Sequence, residues 1–193
     1  MTAATITEFE QHPTSIEGLV VLRTRHADDE RGTIREMYKE SVMAGLGAGR
    51  LGGIKQVNLT YSKPGTIRGL HGESMAKLVG LAHGEGFGAY LDARPASPSA
   101  GTLVTLDLTP GTQVLVPPGV CNGFQAVGSQ GCLYLYCFDT EWSPDIAGIF
   151  VHPLDLDVAV PWPVAIDPDD RSLLSAKDAG HPSFKEAVQL AAR

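Results

Sequence analysis

The stretch Thr102-Leu103-Val104-Thr105-Leu106-Asp107-Leu108-Thr109-Pro110-Gly111-Thr112-Gln113-Val114-Leu115-Val116-Pro117-Pro118-Gly119 decides the fold class. It reads strand, turn, strand, turn. In the first run Leu103 lies opposite Val104, and Leu106 and Leu108 continue the second face. Pro110-Gly111 ends that run, because proline presets a turn φ and glycine tolerates a positive one. Residues 112–116 form a second short strand, closed by Pro117-Pro118-Gly119. The same alternation appears on both sides. Residues 54–62 put Val57, Leu59 and Tyr61 on one face and Gln56, Asn58 and Thr60 on the other. Residues 132–138 send Tyr134, Tyr136 and Phe138 one way and Leu133, Leu135 and Cys137 the other.

Further turn signals stand at Lys63-Pro64-Gly65, at His83-Gly84-Glu85-Gly86, and within residues 95–101 and 128–131. Strands spaced about 8–12 residues apart predict an all-β sandwich or small barrel and argue against βαβ units. Helical pattern is scarce. Residues 35–48 read as one helix, broken by the glycine-rich run 45–53. Residues 183–193 read as a terminal helix, with Ser183 as cap and Glu186 as the capping-box acid. With no internal repeat or linker, the reading is one domain over residues 1–193, of which 1–15 form a loose N-terminal arm.

A chain of 193 residues suits one well-buried domain. Its 22 glycines and 13 prolines favour many short elements joined by turns. The net charge of −7 argues against a nucleic-acid partner, yet a local basic pocket can still hold a phosphorylated small molecule. No apolar run approaches the ~18 residues of a membrane span, so no membrane partner is expected. The polar N-terminus lacks signal-peptide order. Cys121, Cys132 and Cys137 are odd in number and sit in strand-like sequence. They read as buried free thiols of a cytoplasmic protein, with only a weak case for Cys121 as a nucleophile.

The chemistry concentrates in Thr66-Ile67-Arg68-Gly69-Leu70-His71, followed by Lys77. Histidine titrates near neutrality and suits a general base. Two neighbouring cations discourage its protonation and could clamp a phosphate or stabilise an oxyanion. Tyr136 could donate a proton to a ketone-derived centre, or simply line the core beside Tyr134 and Phe138. Asp178 could orient an imidazole, or be a surface charge. Gln56 and Asn58 project to the same side, and that pattern alone reads as the wet face of an antiparallel sheet. No His-x-His pair occurs among the six histidines, so no metal site is expected.

An ordered series of motifs then resembles the dTDP-4-dehydrorhamnose 3,5-epimerase family, from about Gly18 to Pro182. It comprises Asp29-Glu30-Arg31-Gly32 with Glu36, Gln56-Val57-Asn58, Ile67-Arg68-Gly69-Leu70-His71 with Lys77-Leu78-Val79, and Leu91-Asp92-Ala93-Arg94 with Ser97-Pro98. It continues through Val116-Pro117-Pro118-Gly119 with Asn122-Gly123-Phe124, then Tyr136 with Trp142 and Pro144. Val160-Pro161-Trp162-Pro163 and Leu174-Ser175-Ala176-Lys177-Asp178 close it. The resemblance implies a cupin-type β jelly roll with a few short peripheral helices. It also implies a homodimer exchanging an N-terminal strand, and no metal or redox cofactor.

The implied substrate is a nucleoside-diphosphate 4-keto-6-deoxy sugar. The implied catalytic residues are His71 as base, Asp178 as its partner, Tyr136 as acid on the opposite face and Lys77 on the enolate oxygen. Arg31, Glu36 and Arg68 would bind the diphosphate-sugar, with Gln56, Asn58 and Asn122 nearby. Trp142 would stack on the nucleobase, and Lys177 would reach the nucleotide end.

Three departures from the pattern stand out. Asn122 replaces a histidine, the segment Gly72-Glu73-Ser74-Met75-Ala76 is short and replaces an aromatic-Gln pair by Gly72-Glu73, and Glu141 replaces an aromatic. The first two resemble relatives acting on GDP-4-keto heptoses. Alternatives are a single-centre epimerase at C3 or C5, a non-catalytic sugar-nucleotide-binding cupin and a metal-dependent cupin oxygenase.

Overall fold

The computed structural model describes residues 4–46 and 51–192. The short strands predicted from alternation are present. They run β1 (Thr5–Thr7), β2 (Glu10–Pro13), β3 (Val20–Arg23), β4 (His26–Asp29), β5 (Gly32–Arg35), β6 (Gln56–Ser62) and β7 (Ile67–Glu73). After them come β8 (Lys77–Gly84), β9 (Gly86–Asp92), β10 (Leu103–Leu108), β11 (Thr112–Val116), β12 (Val120–Ala126), β13 (Cys132–Phe138) and β14 (Gly148–Phe150). The helices α1 (Glu40–Ala44), α2 (Ala176–Ala179) and α3 (Phe184–Ala191) are short and peripheral. A six-stranded sheet in the order β2-β3-β11-β8-β13-β6 faces a five-stranded sheet in the order β10-β9-β12-β7-β14. All named pairings in them are antiparallel. This is the all-β, cupin-type jelly-roll architecture.

The alternation decides what goes inside. Val79, Leu81, Val114, Val116 and Tyr134 from the larger sheet meet Tyr90, Val120 and Phe124 from the smaller one in a dry core. The Phe124 and Tyr134 rings stack across it at 3.9 Å between centroids, a contact that contributes about 0.5–1.5 kcal/mol beyond burial. The outer face of the smaller sheet is covered by the C-terminal segment, where Ala187, with Phe184 and Trp162 against it, packs on Leu70, Leu91 and Cys121. The outer face of the larger sheet is covered in part by Met43 of α1, with Tyr38 and Ile54, over Leu22, Leu78 and Cys137.

Three expectations need correction. The helix expected over residues 35–48 shrinks to Glu40–Ala44. Arg35 ends β5, Lys39 is an extended cap without a side-chain hydrogen bond, and residues 47–50 lie outside the described residues. The arm expected over residues 1–15 instead supplies β1, paired with β4, and β2, paired with β3; backbone pairing there overrides a polar, uninformative sequence. The polar face of β6 is the inner one. Val57, Leu59 and Tyr61 are 55%, 56% and 59% exposed, while the opposite face looks into the sandwich. Other expectations hold: α3 starts at a complete Ser183/Glu186 capping box, and the three cysteines are buried and free.

One irregularity positions the chemistry. In β7 paired with β12, His71 faces Asn122 and Arg68 faces Phe124, so Gly69 and Leu70 together oppose Gly123. In a regular strand residues three apart point to opposite faces. The extra residue of this bulge turns Arg68 and His71 to the same side. Gly69 has φ +139°, and a Cβ there would lie 2.5 Å from the Gly123 Cα. The substitution Gly69→Ala is expected to cost about 2 kcal/mol or more, read as a lowered urea midpoint with an unchanged slope.

Candidate active site

Between the sheets, next to the aromatic core at Tyr136, lies a cavity of about 310 Å³. Sheet register sets its floor. Lys77, Phe138 and Gln56 form one row across β8, β13 and β6, and Val79, Tyr136 and Asn58 form the next; of these Lys77, Phe138, Tyr136 and Asn58 line the cavity. From the facing sheet, the bulged β7 contributes Arg68 and His71, and β12 contributes Asn122.

Asp178 arrives from far along the chain. Ile67 forms a parallel bridge to Leu174, and its N–H donates to the Leu173 carbonyl at 2.9 Å, which docks this segment beside β7. Ser175 caps α2 by accepting the Asp178 N–H at 3.0 Å. The cap aims the carboxylate at His71, with Nε2 to Oδ1 at 2.8 Å. Burial would raise the Asp178 carboxyl, but the His71 hydrogen bond and charge, then His181 and the Gly69 backbone, hold it below its ordinary value. Such a carboxylate fixes the ring orientation and stabilises an imidazolium. The structure therefore joins the residues read as base and partner.

Tyr136 borders the cavity, whereas Tyr134 is fully buried. This separates two tyrosines that share a face in sequence. Burial pushes the Tyr136 phenol well above its ordinary value, so it holds its proton at neutral pH. Lys77 is 2% exposed. Its ammonium donates to the His71 carbonyl at 2.8 Å, to Glu73 at 2.5 Å and to the Asn122 side-chain oxygen. Those three contacts use its whole donor set. Burial would raise Glu73, but Lys77's charge and hydrogen bond hold it low. Arg68 Nε donates to Ser62 Oγ at 2.9 Å.

At the mouth, Lys177 sits over the Trp142 and Phe150 rings at 5.7 and 5.9 Å, a cation–π arrangement. Gln56 stands behind this wall and not in it. Its side chain accepts from the Trp142 N–H at 2.8 Å and donates to Asn58 at 3.0 Å. Arg31 and Glu36 are not brought to the cavity. Arg31 pairs with Asp29 at 2.6 Å in the β4–β5 turn, and Glu36 pairs with Arg25 at 3.3 Å elsewhere.

Sequence reasoning missed Glu73, Phe138, Thr60 and Ser175 as cavity residues. Strand alternation was a usable signal for three of them: Thr60 follows Asn58 by two, Phe138 follows Tyr136, and Glu73 follows His71. It also missed His181, whose ring meets His71 edge-on at 5.4 Å between centroids. Burial, then the adjacent His71, pulls His181 down to about 4. Donor atoms of His71, Asp178 and His181 lie within 4.8 Å of one another, a grouping that no sequence spacing announces. Cys121 is not a nucleophile here; its thiol faces the Ile149 carbonyl at 3.2 Å, and burial pushes it up to about 12.

The arrangement defines a class: a jelly roll that gathers a carboxylate-held imidazole, a protonated phenol and a buried ammonium, groups chemically able to move protons, around one polar cavity. The sequence matches the dTDP-4-dehydrorhamnose 3,5-epimerase family over residues 13–186, and the chain belongs to that family. It is 33% identical over 181 residues to the dTDP-4-dehydrorhamnose 3,5-epimerase of Salmonella typhimurium, covering 91% of this chain and 95% of that one. Its fold is similar to NovW, a 4-keto-6-deoxy sugar epimerase of Streptomyces spheroides, with TM-score 0.86, 26% identity, and 98% and 94% coverage. It is also similar to ChmJ, a 3'-monoepimerase of Streptomyces bikiniensis in complex with dTDP-quinovose, with TM-score 0.82, 28% identity, and 93% and 90% coverage.

Two stability outcomes follow from the buried charges. Glu73→Ala strands the Lys77 ammonium and is expected to cost about 3–5 kcal/mol, most of it recovered by adding Lys77→Met; urea denaturation of the single and double variants reads this. Glu73 and Asp178 lie below their ordinary values of 4.5 and 3.8 when folded. The unfolded chain therefore binds more protons, and their stabilisation is complete above those values and lost as pH falls through the lowered ones. The melting temperature should drop below about pH 4.5, and less steeply in Glu73→Gln.

Proposed function

We propose that the chain epimerises C3 and/or C5 of a nucleoside-diphosphate 4-keto-6-deoxy sugar through an enolate. The observation that carries this reading is the His71–Asp178 hydrogen bond at 2.8 Å in the same cavity as Tyr136. The C4 ketone acidifies the hydrogens on its neighbouring carbons. His71 removes one of them, and Asp178 stabilises the resulting imidazolium. Charge then develops on the C4 oxygen near Lys77. That oxygen takes the place of Asn122, the uncharged side chain on the ammonium, without separating Lys77 from Glu73. Tyr136 returns a proton to the opposite face, which inverts the centre. Arg68 and Lys177 hold the diphosphate and nucleotide end, and Trp142, braced by Gln56, offers a stacking face. Three buried free thiols fit a cytoplasmic setting.

Inversion at one centre is the second reading, supported by the likeness to a 3'-monoepimerase. Asn122 and the Gly72-Glu73 pair also support a GDP-4-keto heptose as an alternative substrate. We further propose a homodimer. Ile34 is 74% exposed near the exposed Arg31, and Val57, Leu59 and Tyr61 on the apolar face of β6 are more than half exposed. A second copy would cover these surfaces and carry Arg31 and Glu36 to the partner's cavity.

Proton NMR in D₂O with dTDP-4-keto-6-deoxyglucose, repeated with a GDP-4-keto-6-deoxyheptose, tests the activity. Deuterium at both C3 and C5 supports two-centre epimerisation, and deuterium at one supports the single-centre reading. Absence of exchange with a bound nucleotide sugar points to a non-catalytic module. His71→Ala and Tyr136→Phe should each lower epimerisation by about 10²–10⁴-fold while leaving nucleotide-sugar binding intact. Light scattering should give twice the 20.5 kDa chain mass, and Arg31→Ala should raise KM more than it lowers kcat.

A further inference from the structure

We propose that His71, Asp178 and His181 form a latent site for a zinc-type divalent cation, whose binding takes the base out of service. The donor set is two imidazoles and one carboxylate, all with donor atoms within 4.8 Å. Borderline-soft ions such as Zn²⁺ favour this mixture, whereas Mg²⁺ and Ca²⁺ favour oxygen ligands. The His181 Nδ1 is buried and, among the described residues, has no hydrogen-bond partner. A buried polar atom left in that state is costly, and a ligand answers it.

The geometry needs a small adjustment. Zinc–nitrogen bonds of about 2.0–2.1 Å place tetrahedral donors about 3.3 Å apart. His71 and Asp178 are already in contact at 2.8 Å. His181 must close the remaining gap by a turn of its side chain, whose ring borders two surface clefts beside Phe150 and His152. The fourth position would open on the cavity and take water. Coordination takes the lone pair of His71 Nε2, so the proton shared there with Asp178 moves to Nδ1, the nitrogen that would otherwise accept the sugar proton. A metal-bound His71 has lost the dyad that makes it a base, so proton abstraction stops.

The metal site does not require the epimerase reading; the loss of proton transfer rests on it. Calorimetric titration of the full chain with ZnCl₂ therefore reads binding separately from D₂O exchange. The expected result is one Zn²⁺ per chain, reversed by chelator, and at least about tenfold weaker binding in His181→Ala. The milder His181→Gln, with its melting temperature checked, guards against a folding defect. Exchange should fall in step with zinc occupancy in the wild type and resist zinc in the variants. Equal zinc affinity in the wild type and both variants would place the ion elsewhere and overturn the site. So would the absence of stoichiometric binding. His181-dependent binding that leaves exchange intact would overturn the claim that the ion disables the base. A chain that binds zinc as expected yet exchanges no tested sugar would sustain the site and count against the epimerase reading alone.

Discussion

A two-against-one bulge between β7 and β12 turns Arg68 and His71 to the same side of the smaller sheet, and the site depends on it. Without the extra residue, one of the two would point into the outer cluster around Leu91 and Cys121. Gly69 makes the bulge through a positive φ, and Gly123 leaves room for it. The same strand then recruits its partners by backbone pairing. Phe150 of β14 lies beside His71, and Leu173 and Leu174 attach at Ile67. The short helix that follows is thereby held where its Asp178 reaches the imidazole.

Charge organises the rest of the cavity. A buried ammonium is tolerable only when paired and hydrogen-bonded. Lys77 meets that condition with Glu73, Asn122 and the His71 carbonyl. Asn122 thus gains a structural reason to carry an amide, since its oxygen faces Lys77; an imidazolium at that position would bring a second positive charge against the ammonium. The imidazole and the phenol are set apart by environment. The His71 ring is tied to a low-lying carboxylate, while burial keeps the Tyr136 phenol protonated.

Much of this was legible in residues 102–119 and their neighbours, because antiparallel strands with one dry face write a period of two into the sequence. Residues 112–116 and 132–138 are strands with those bounds. The inside-out reading of β6 shows where this logic fails. A strand lining a wet cavity can turn its polar face inward and its apolar face outward, which reverses the inference. The residues at 35–39 show the other failure, where a weakly helical run without a capping side chain is drawn out as extended chain.

The sequence by itself determined the strand spacing, the tight turns, the α3 capping box and the presence of an imidazole, a phenol, a carboxylate and an ammonium suited to proton chemistry. Those are local properties, set by backbone stereochemistry and side-chain type. Only the tertiary structure decided that Tyr136 and not Tyr134 meets the cavity, that Glu73 neutralises Lys77, that Gln56 braces Trp142, and that His181 joins His71 and Asp178. These depend on register, on one bulge and on the docking of a distant segment. Such contacts are made across the chain and leave no period along it.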